Sequence, residues 1–248
     1  MLKIFRTYNN SEALVDNSVC HGIMIEKIKG ILRRIISKLK RDPNRFLRKV
    51  SGVIHVGANT GQERGLYAKY GLRVVWIEPI PDVFERLKEN LKDYPAQRAL
   101  KCLVTDQDGI EYQFHIANND GASSSILGLK LHKDIWPHVD YERTIRLRSK
   151  TLPSLLEEEH VDYSEYDSLI MDTQGSELLV LKGAVSILEN FTYIKTEVPD
   201  FESYEDCCQL GDIARFLAHH GYKELSRHIF AECPNRGNYY DIVYERKA

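Results

Sequence analysis

Two acidic residues, Glu78 and Asp172, each stand at the end of an apolar run and directly before or within a turn. The first run is Val74-Val75-Trp76-Ile77, closed by Glu78-Pro79. An earlier run, Val53-Ile54-His55-Val56, enters the turn Gly57-Ala58-Asn59-Thr60-Gly61. Strand, glycine turn, helix and a second strand ending in an acid suit a bound nucleoside. Glycines let the backbone approach a ligand closely, and an acid at the tip of the second strand accepts hydrogen bonds from ribose hydroxyls. Glu78 lies about 20 residues past the turn, as such a unit requires. The alternative for the turn alone is an ordinary strand-to-helix connection.

The glycine spacing bears on which nucleoside is bound. Dinucleotide folds use G-x-G-x-x-G to aim helix-start amides at a pyrophosphate. Here Asn59 takes the place of the middle glycine, leaving Gly57 and Gly61. That turn suits a ligand with an amino-acid tail and no pyrophosphate, and S-adenosylmethionine is one. Its methionine portion would meet His55, Val56, Gly57, Ala58, Asn59 and Gly61. Pro79 and Ile80 would cover an adenine face. Thr105 would meet the adenine edge, with Asp106 doing the same or forming a turn with Gln107, Asp108 and Gly109. A nucleotide-dependent oxidoreductase is the rival enzyme reading, and a non-catalytic binding protein is the rival outside enzymes.

Asp172 follows Leu169-Ile170-Met171 and would lie beside the reacting group. There it could orient an acceptor hydroxyl or take its proton, an effect of roughly 10²–10⁴-fold. Its other reading is a cap for a helix beginning near Ser176. Glu197 is a second candidate base, and Glu177 suits a helix start. His132 and His138 lie in a polar stretch with Asp134, Trp136 and Asp140. His132 is a candidate for acceptor contact or proton transfer, and the spacing predicts no metal site. Trp136 and Tyr141 could stack on a sugar or anchor a loop. Arg143, Arg146 and Arg148 would bind an anionic acceptor or simply charge an edge strand.

These groups need a scaffold. From residue 53 strand patterns at 53–56, 73–77, 99–104, 167–171, 193–197, 222–227 and 239–244 alternate with helical ones at 62–70, 82–93, 152–158, 176–190 and 207–220. Alternation implies a mostly parallel sheet with helices on both faces. Residues 109–117 read as an extra strand pairing with the segment before it. Residues 118–150 read as a long loop with a short basic strand at 144–148, placed over the ligand edge of the sheet. Adjacent Cys207 and Cys208 fall within the last helix. Residues 1–48 form an extension whose segment 23–40 is an amphipathic helix. Met24, Ile28, Ile31, Leu32, Ile35 and Leu39 make its apolar stripe, among seven nearby lysines and arginines. It would pack on the domain or a second subunit, or lie on a membrane surface.

At 248 residues the chain suits one domain at 49–248 plus that extension. A formal net charge of -2 argues against a nucleic-acid binder. Five cysteines without a C-x-x-C fit a reducing cytoplasm. No signal peptide is expected, and no apolar run nears the ~18 residues of a membrane span.

With its later segments included, the chain resembles the FkbM family of S-adenosylmethionine-dependent methyltransferases. The pieces occur in order over about residues 50–245. They are Ile54-His55-Val56-Gly57-Ala58-Asn59-x-Gly61, Ile77-Glu78-Pro79-x-Pro81, Val104-Thr105-Asp106-x-Asp108-Gly109, Asn119-Asp120-Gly121-Ala122-Ser123-Ser124-Ser125, Thr151-Leu152-Pro153, and Leu169-Ile170-Met171-Asp172-Thr173-Gln174-Gly175-Ser176-Glu177 with Val180-Leu181-Lys182-Gly183-Ala184. The third-last of these pieces adds Ser124 to the cofactor-binding set. Many members have Asp at His55 and Glu at Gln174. The resemblance implies a class I methyltransferase sheet, Rossmann-like and seven-stranded with its last strand antiparallel. It also implies O-methylation of a sugar, glycan or related secondary metabolite.

Overall fold

The computed structural model describes residues 43–247. The basic helix expected at 23–40 lies outside them. The described unit opens with a 3-10 helix, Arg45–Lys49, which sinks Phe46 and Leu47 into the core.

The chain then runs β1 (Gly52–Val56), α1 (Arg64–Lys69), β2 (Arg73–Ile77), α2 (Pro81–Asn90), β3 (Gln97–Leu100), β4 (Leu103–Val104), β5 (Glu111–Ala117), α3 (His132–Ile135), β6 (Tyr141–Lys150), α4 (Leu152–Glu158), β7 (Ser168–Met171), α5 (Glu177–Gly183), β8 (Tyr193–Pro199), α6 (Leu210–His219), β9 (Tyr222–Cys233) and β10 (Gly237–Arg246). Seven strands form one sheet in the order β3-β2-β1-β7-β8-β10-β9. The inner pairs are parallel, and β10 runs antiparallel to both neighbours. This is the sheet the alternation predicts.

Strand periodicity divides the core. Ile54, Val56, Val75, Ile77, Leu169 and Met171 pack with Leu152, Leu155 and Leu156 of α4, Val180 and Leu181 of α5, and Ile213 and Leu217 of α6. Val53, Val74, Trp76 and Ile170 meet Phe46, Leu47, Tyr67 of α1 and Leu87 of α2 on the other face. Trp76 is fully enclosed, and its Nε1 donates to Gln97 Oε1 at 3.0 Å, tying β2 to β3. Neighbours β1 and β7 pair directly in the sheet but are far apart in the chain, with β2 to β6 and α4 between them. Their carboxyl ends therefore open where the chain reverses direction across the sheet, the usual ligand position in such folds.

Four expectations need correction. Residues 109–117 do not pair with the preceding segment. As β5 they pair antiparallel with β6, which also takes β4 in parallel, making a separate three-stranded sheet. The strand expected at 144–148 spans all of 141–150. Phe114 and Ile116, with Ile145 and Leu147, turn inward against Ile80 and Val83, so burial of that face decides the pairing. The helix expected over 176–190 ends at Gly183 and continues as a 3-10 segment, Val185–Asn190. A side chain at Gly183 would collide with the Thr105 carbonyl, which shows how closely α5 approaches the loop after β4. Finally, Cys207 and Cys208 precede α6. That helix begins from Gln209, whose side chain accepts from the backbone of Asp212 while Asp212 accepts from Gln209 N.

Candidate active site

The Gly57 turn bends sharply over the end of β1. Gly57 and Ala58 amides both donate to the Ile77 carbonyl at 3.0 Å, so the turn is stitched to β2. Gly57 and Gly61 have φ of 81° and 71°, and Asn59 is left-handed at 44°. Asn59 tolerates this because its own side chain bonds the local backbone. Its Oδ1 accepts from Thr60 N at 2.7 Å, and its Nδ2 donates to the Asp120 carbonyl at 3.3 Å.

Glu78 is 4 % exposed. Its Oε2 accepts from Asn59 N and its Oε1 from Ile80 N, both at 2.8 Å. Burial pushes its pKa up to about 8, against the two amides, which hold it down. Asp172 also raises it and Arg86 lowers it. Each carboxylate oxygen keeps a second acceptor site. The carboxylate is thus fixed by the turn it serves.

A cavity with about 790 Å³ of atom-free space, counting its open mouth, lies over this turn. His55, Val56, Gly57, Ala58 and Asn59 line it, as do Glu78, Pro79, Ile80, Ser124 and Asp172. Gly61 belongs to the turn and faces Leu87 of α2. Asp172 enters from the end of β7, where its backbone N–H donates to the Val56 carbonyl at 3.0 Å. Its carboxyl is held above the usual range by burial first and the Glu177 charge second. Asp172 does not cap α5. Glu177, the first residue of that helix, instead accepts from Thr173 N at 2.8 Å and from Gly175 N in the turn before it.

Other expected residues lie elsewhere. Thr105 is fully buried, its Oγ1 donating to the Gln107 carbonyl, and neither it nor Asp106 lines the cavity. Cys102, Leu103, Val104 and Phe114 form that wall instead. Glu197 is outside the lining. It lies opposite Asp241 on β10, and burial and the Asp172 charge raise its pKa. His132 is buried between the rings of Trp136 and Tyr204, with burial lowering its pKa to about 4. It does not line the cavity either. The His55 ring stacks on Trp76 at 4.8 Å, and its Nδ1 bonds the Tyr67 hydroxyl at 3.1 Å. Burial lowers its pKa to about 3, so it is neutral at physiological pH. Sequence reasoning missed Gln62, Glu63, Phe114 and Gln174 among the lining residues. Phe114 carries a legible signal, being an inward position of an alternating strand.

The charge of the wall is one-sided. Glu63, Glu78 and Asp172 line the cavity, and no lysine or arginine does among the described residues. A pyrophosphate would face carboxyl groups with no cation to offset them. A sulfonium and an ammonium would be welcomed.

The methyltransferase FkbM domain model matches residues 55–224, which include the whole cavity and most of the sheet. The chain belongs to the FkbM methyltransferase family. Its cofactor is S-adenosylmethionine, and its activity is S-adenosylmethionine-dependent methyl transfer. The residues present fit that cofactor. Glu78 has free acceptor sites for ribose hydroxyls, Glu63 and Asp172 offer carboxyl oxygens to the ammonium of an amino-acid tail, and Ile80, Leu103, Val104 and Phe114 offer an apolar slot for adenine.

No curated protein matches the sequence. Among solved structures, an uncharacterized protein from Listeria monocytogenes serotype 4b shares 9 % identity, with a TM-score of 0.49 over 85 % of this chain and 67 % of that one. A putative tRNA (m1A22) methyltransferase from Streptococcus pneumoniae, in complex with S-adenosyl-L-methionine, shares 12 % at a TM-score of 0.47, over 84 % and 72 %. A precorrin-6y C5,15-methyltransferase from Geobacter metallireducens shares 13 % at 0.47, over 85 % and 88 %.

Proposed function

We propose that this FkbM-family methyltransferase methylates a hydroxyl on a sugar, glycan or related secondary metabolite. The observation that carries this reading is Asp172, a half-buried carboxyl lining the same cavity as Glu78. Bound there, S-adenosylmethionine supplies an electrophilic methyl on a sulfonium. In-line displacement then asks the protein chiefly for position and electrostatics.

Asp172 would hold the acceptor oxygen and receive its proton as that oxygen takes the methyl, the C–S bond of the sulfonium breaking to leave a neutral thioether. Its raised pKa suits this, because a carboxyl with pKa near working pH is a stronger base than an ordinary aspartate. Glu197, outside the cavity, keeps its proton to higher pH because of burial and the Asp172 charge. The acidic wall favours an acceptor without phosphate or carboxylate. Two of the three candidates for an anionic acceptor, Arg143 and Arg146, are paired with Asp82 at 2.5 Å and Glu111 at 3.5 Å. We place the protein in a reducing compartment, in keeping with four buried free thiols at Cys102, Cys207, Cys208 and Cys233. No helix among the described residues is long and apolar enough to cross a membrane.

The test uses methyl-labelled S-adenosylmethionine with a panel of glycosides and polyhydroxylated natural products. Transfer to oxygen by the wild type, lost in Asp172→Asn while S-adenosylhomocysteine still binds, is the expected result. Label found on nitrogen or carbon, or full transfer by Asp172→Asn, would overturn the reading. Calorimetric binding of NAD with no response to S-adenosylhomocysteine would return the oxidoreductase alternative.

A further inference from the structure

Gln174 is built into an unfavourable backbone conformation and held there from several sides. Its φ is 54°, in the left-handed region that a residue with a long side chain rarely adopts. Its carbonyl accepts from Ser125 Oγ at 2.8 Å, which locks the strained peptide. Its side-chain Nε2 donates to Asp172 Oδ1 at 2.5 Å, and its Oε1 accepts from the Tyr204 hydroxyl at 2.6 Å. Tyr204 is 1 % exposed, in the segment after β8. Strain kept in place by this many partners marks a functional constraint.

We propose that Gln174 is the positioning residue for Asp172, with Tyr204 setting the direction of its amide. The argument follows from donors and acceptors. An ionised carboxylate only accepts, so the NH₂ of Gln174 must face Asp172 and its carbonyl must face Tyr204. Tyr204 must then donate. The chain Tyr204–Gln174–Asp172 therefore has one polarity while Asp172 is ionised. One carboxylate oxygen is pinned, and the other remains for the cavity. The inference rests on the reading of Asp172 as the acceptor-facing group, and it deepens that reading by naming what aims it.

Several charges also face Asp172. Glu177 comes from the start of α5, Glu63 from the turn before α1, and Glu78 from the end of β2. Lys195 and Glu197 come from β8, and Tyr204 and Tyr239 approach from β8's continuation and β10. Most are acidic and oppose ionisation of Asp172. The Gln174 amide is the neutral donor in direct contact that favours it. Replacing it by a carboxyl would put a second acid against Asp172, and the pair would share a proton.

The experiment needs no acceptor. The full chain, labelled with ¹³C at aspartate carboxyls and saturated with S-adenosylhomocysteine, is titrated by NMR, with Asp172→Asn used to assign the resonance. In Gln174→Met the Asp172 midpoint should rise by about one pH unit or more, since a charge-favouring hydrogen bond is lost. It should rise further in Gln174→Glu. Tyr204→Phe, which keeps the ring, should move it the same way by less. An Asp172 midpoint unmoved in Gln174→Met and Tyr204→Phe would overturn the inference. A shift in Gln174→Met alone would remove Tyr204 from it. Loss of methyl transfer in Asp172→Asn is a separate readout, so failure of the acceptor reading and failure of the positioning role are distinguishable.

Discussion

At the scale of single residues, Glu78 and His55 show how burial sets a group's task. Glu78 is held at a pKa of about 8 because burial outweighs its two amide bonds. Hydroxyls donating to it favour the ionised form, so cofactor binding should release a proton near neutral pH. Affinity for S-adenosylmethionine should therefore rise as pH increases toward about 8 and level off above it. Calorimetry at several pH values, in buffers of different ionisation enthalpy, reads both effects. Glu78→Ala should weaken S-adenosylhomocysteine binding by ~1–3 kcal/mol through lost ribose contacts, and unchanged affinity would remove Glu78 from the site. His55 has the opposite history. Its place in the turn motif marked it as a ligand group, yet its ring belongs to the Trp76 and Tyr67 stack. The apolar alternation of β1 already assigned that position to a sheet face, with Val53 on the same side.

At the scale of elements, the α5 approach to the loop after β4 is the tightest joint near the site. Alanine is normally favoured over glycine inside a helix by about 1 kcal/mol. At Gly183 that gain is overruled, because the new Cβ meets the Thr105 carbonyl and the backbone of Asp106 rather than a side chain that could move. Gly183→Ala should destabilise by about 1–3 kcal/mol, read as a lower urea midpoint, and a higher midpoint would contradict the packing. This joint also explains why a continuous helical pattern over 176–190 misled. Periodicity reports which positions are buried and says nothing of a neighbour's backbone that forces the helix to tighten. Most parallel strands were legible because they are short apolar runs bounded by turns. The β5–β6 pairing was less so, since Arg143 falls on the same face as Ile145 and Leu147, which turn inward. The Glu78 end of the site followed from spacing alone. The Cys102–Val104 wall and the Gln174 clamp depend on which loops meet in space, and one sequence does not encode that in any local pattern.

At the scale of the whole molecule, the site leaves a mark on stability. Glu78, Asp172, Glu177 and Glu197 all have raised pKa values, burial being the largest cause for each. The folded state keeps protons that the unfolded chain has released above its ordinary carboxyl range. Stability must then fall as pH rises from about 4.5 toward about 8. His55 and His132 act in reverse. Their pKa values are lowered to about 3 and about 4, so the unfolded chain binds protons that the native state refuses, and stability rises with pH up to about 6.5. Below that point four carboxyls oppose two imidazoles. Above it the carboxyls act without opposition. The protein without cofactor should therefore lose melting temperature steadily from pH 6.5 to 8, where most proteins are near their plateau. Bound S-adenosylmethionine should reduce the slope, because its positive charge and ribose hydroxyls favour the ionised forms of Glu78 and Asp172. Differential scanning fluorimetry from pH 5 to 9, with and without saturating cofactor, checks both statements. A melting temperature that rises between pH 6.5 and 8 in the free protein would mean these carboxyls are ionised in the fold, and the basicity assigned to Asp172 would go with them.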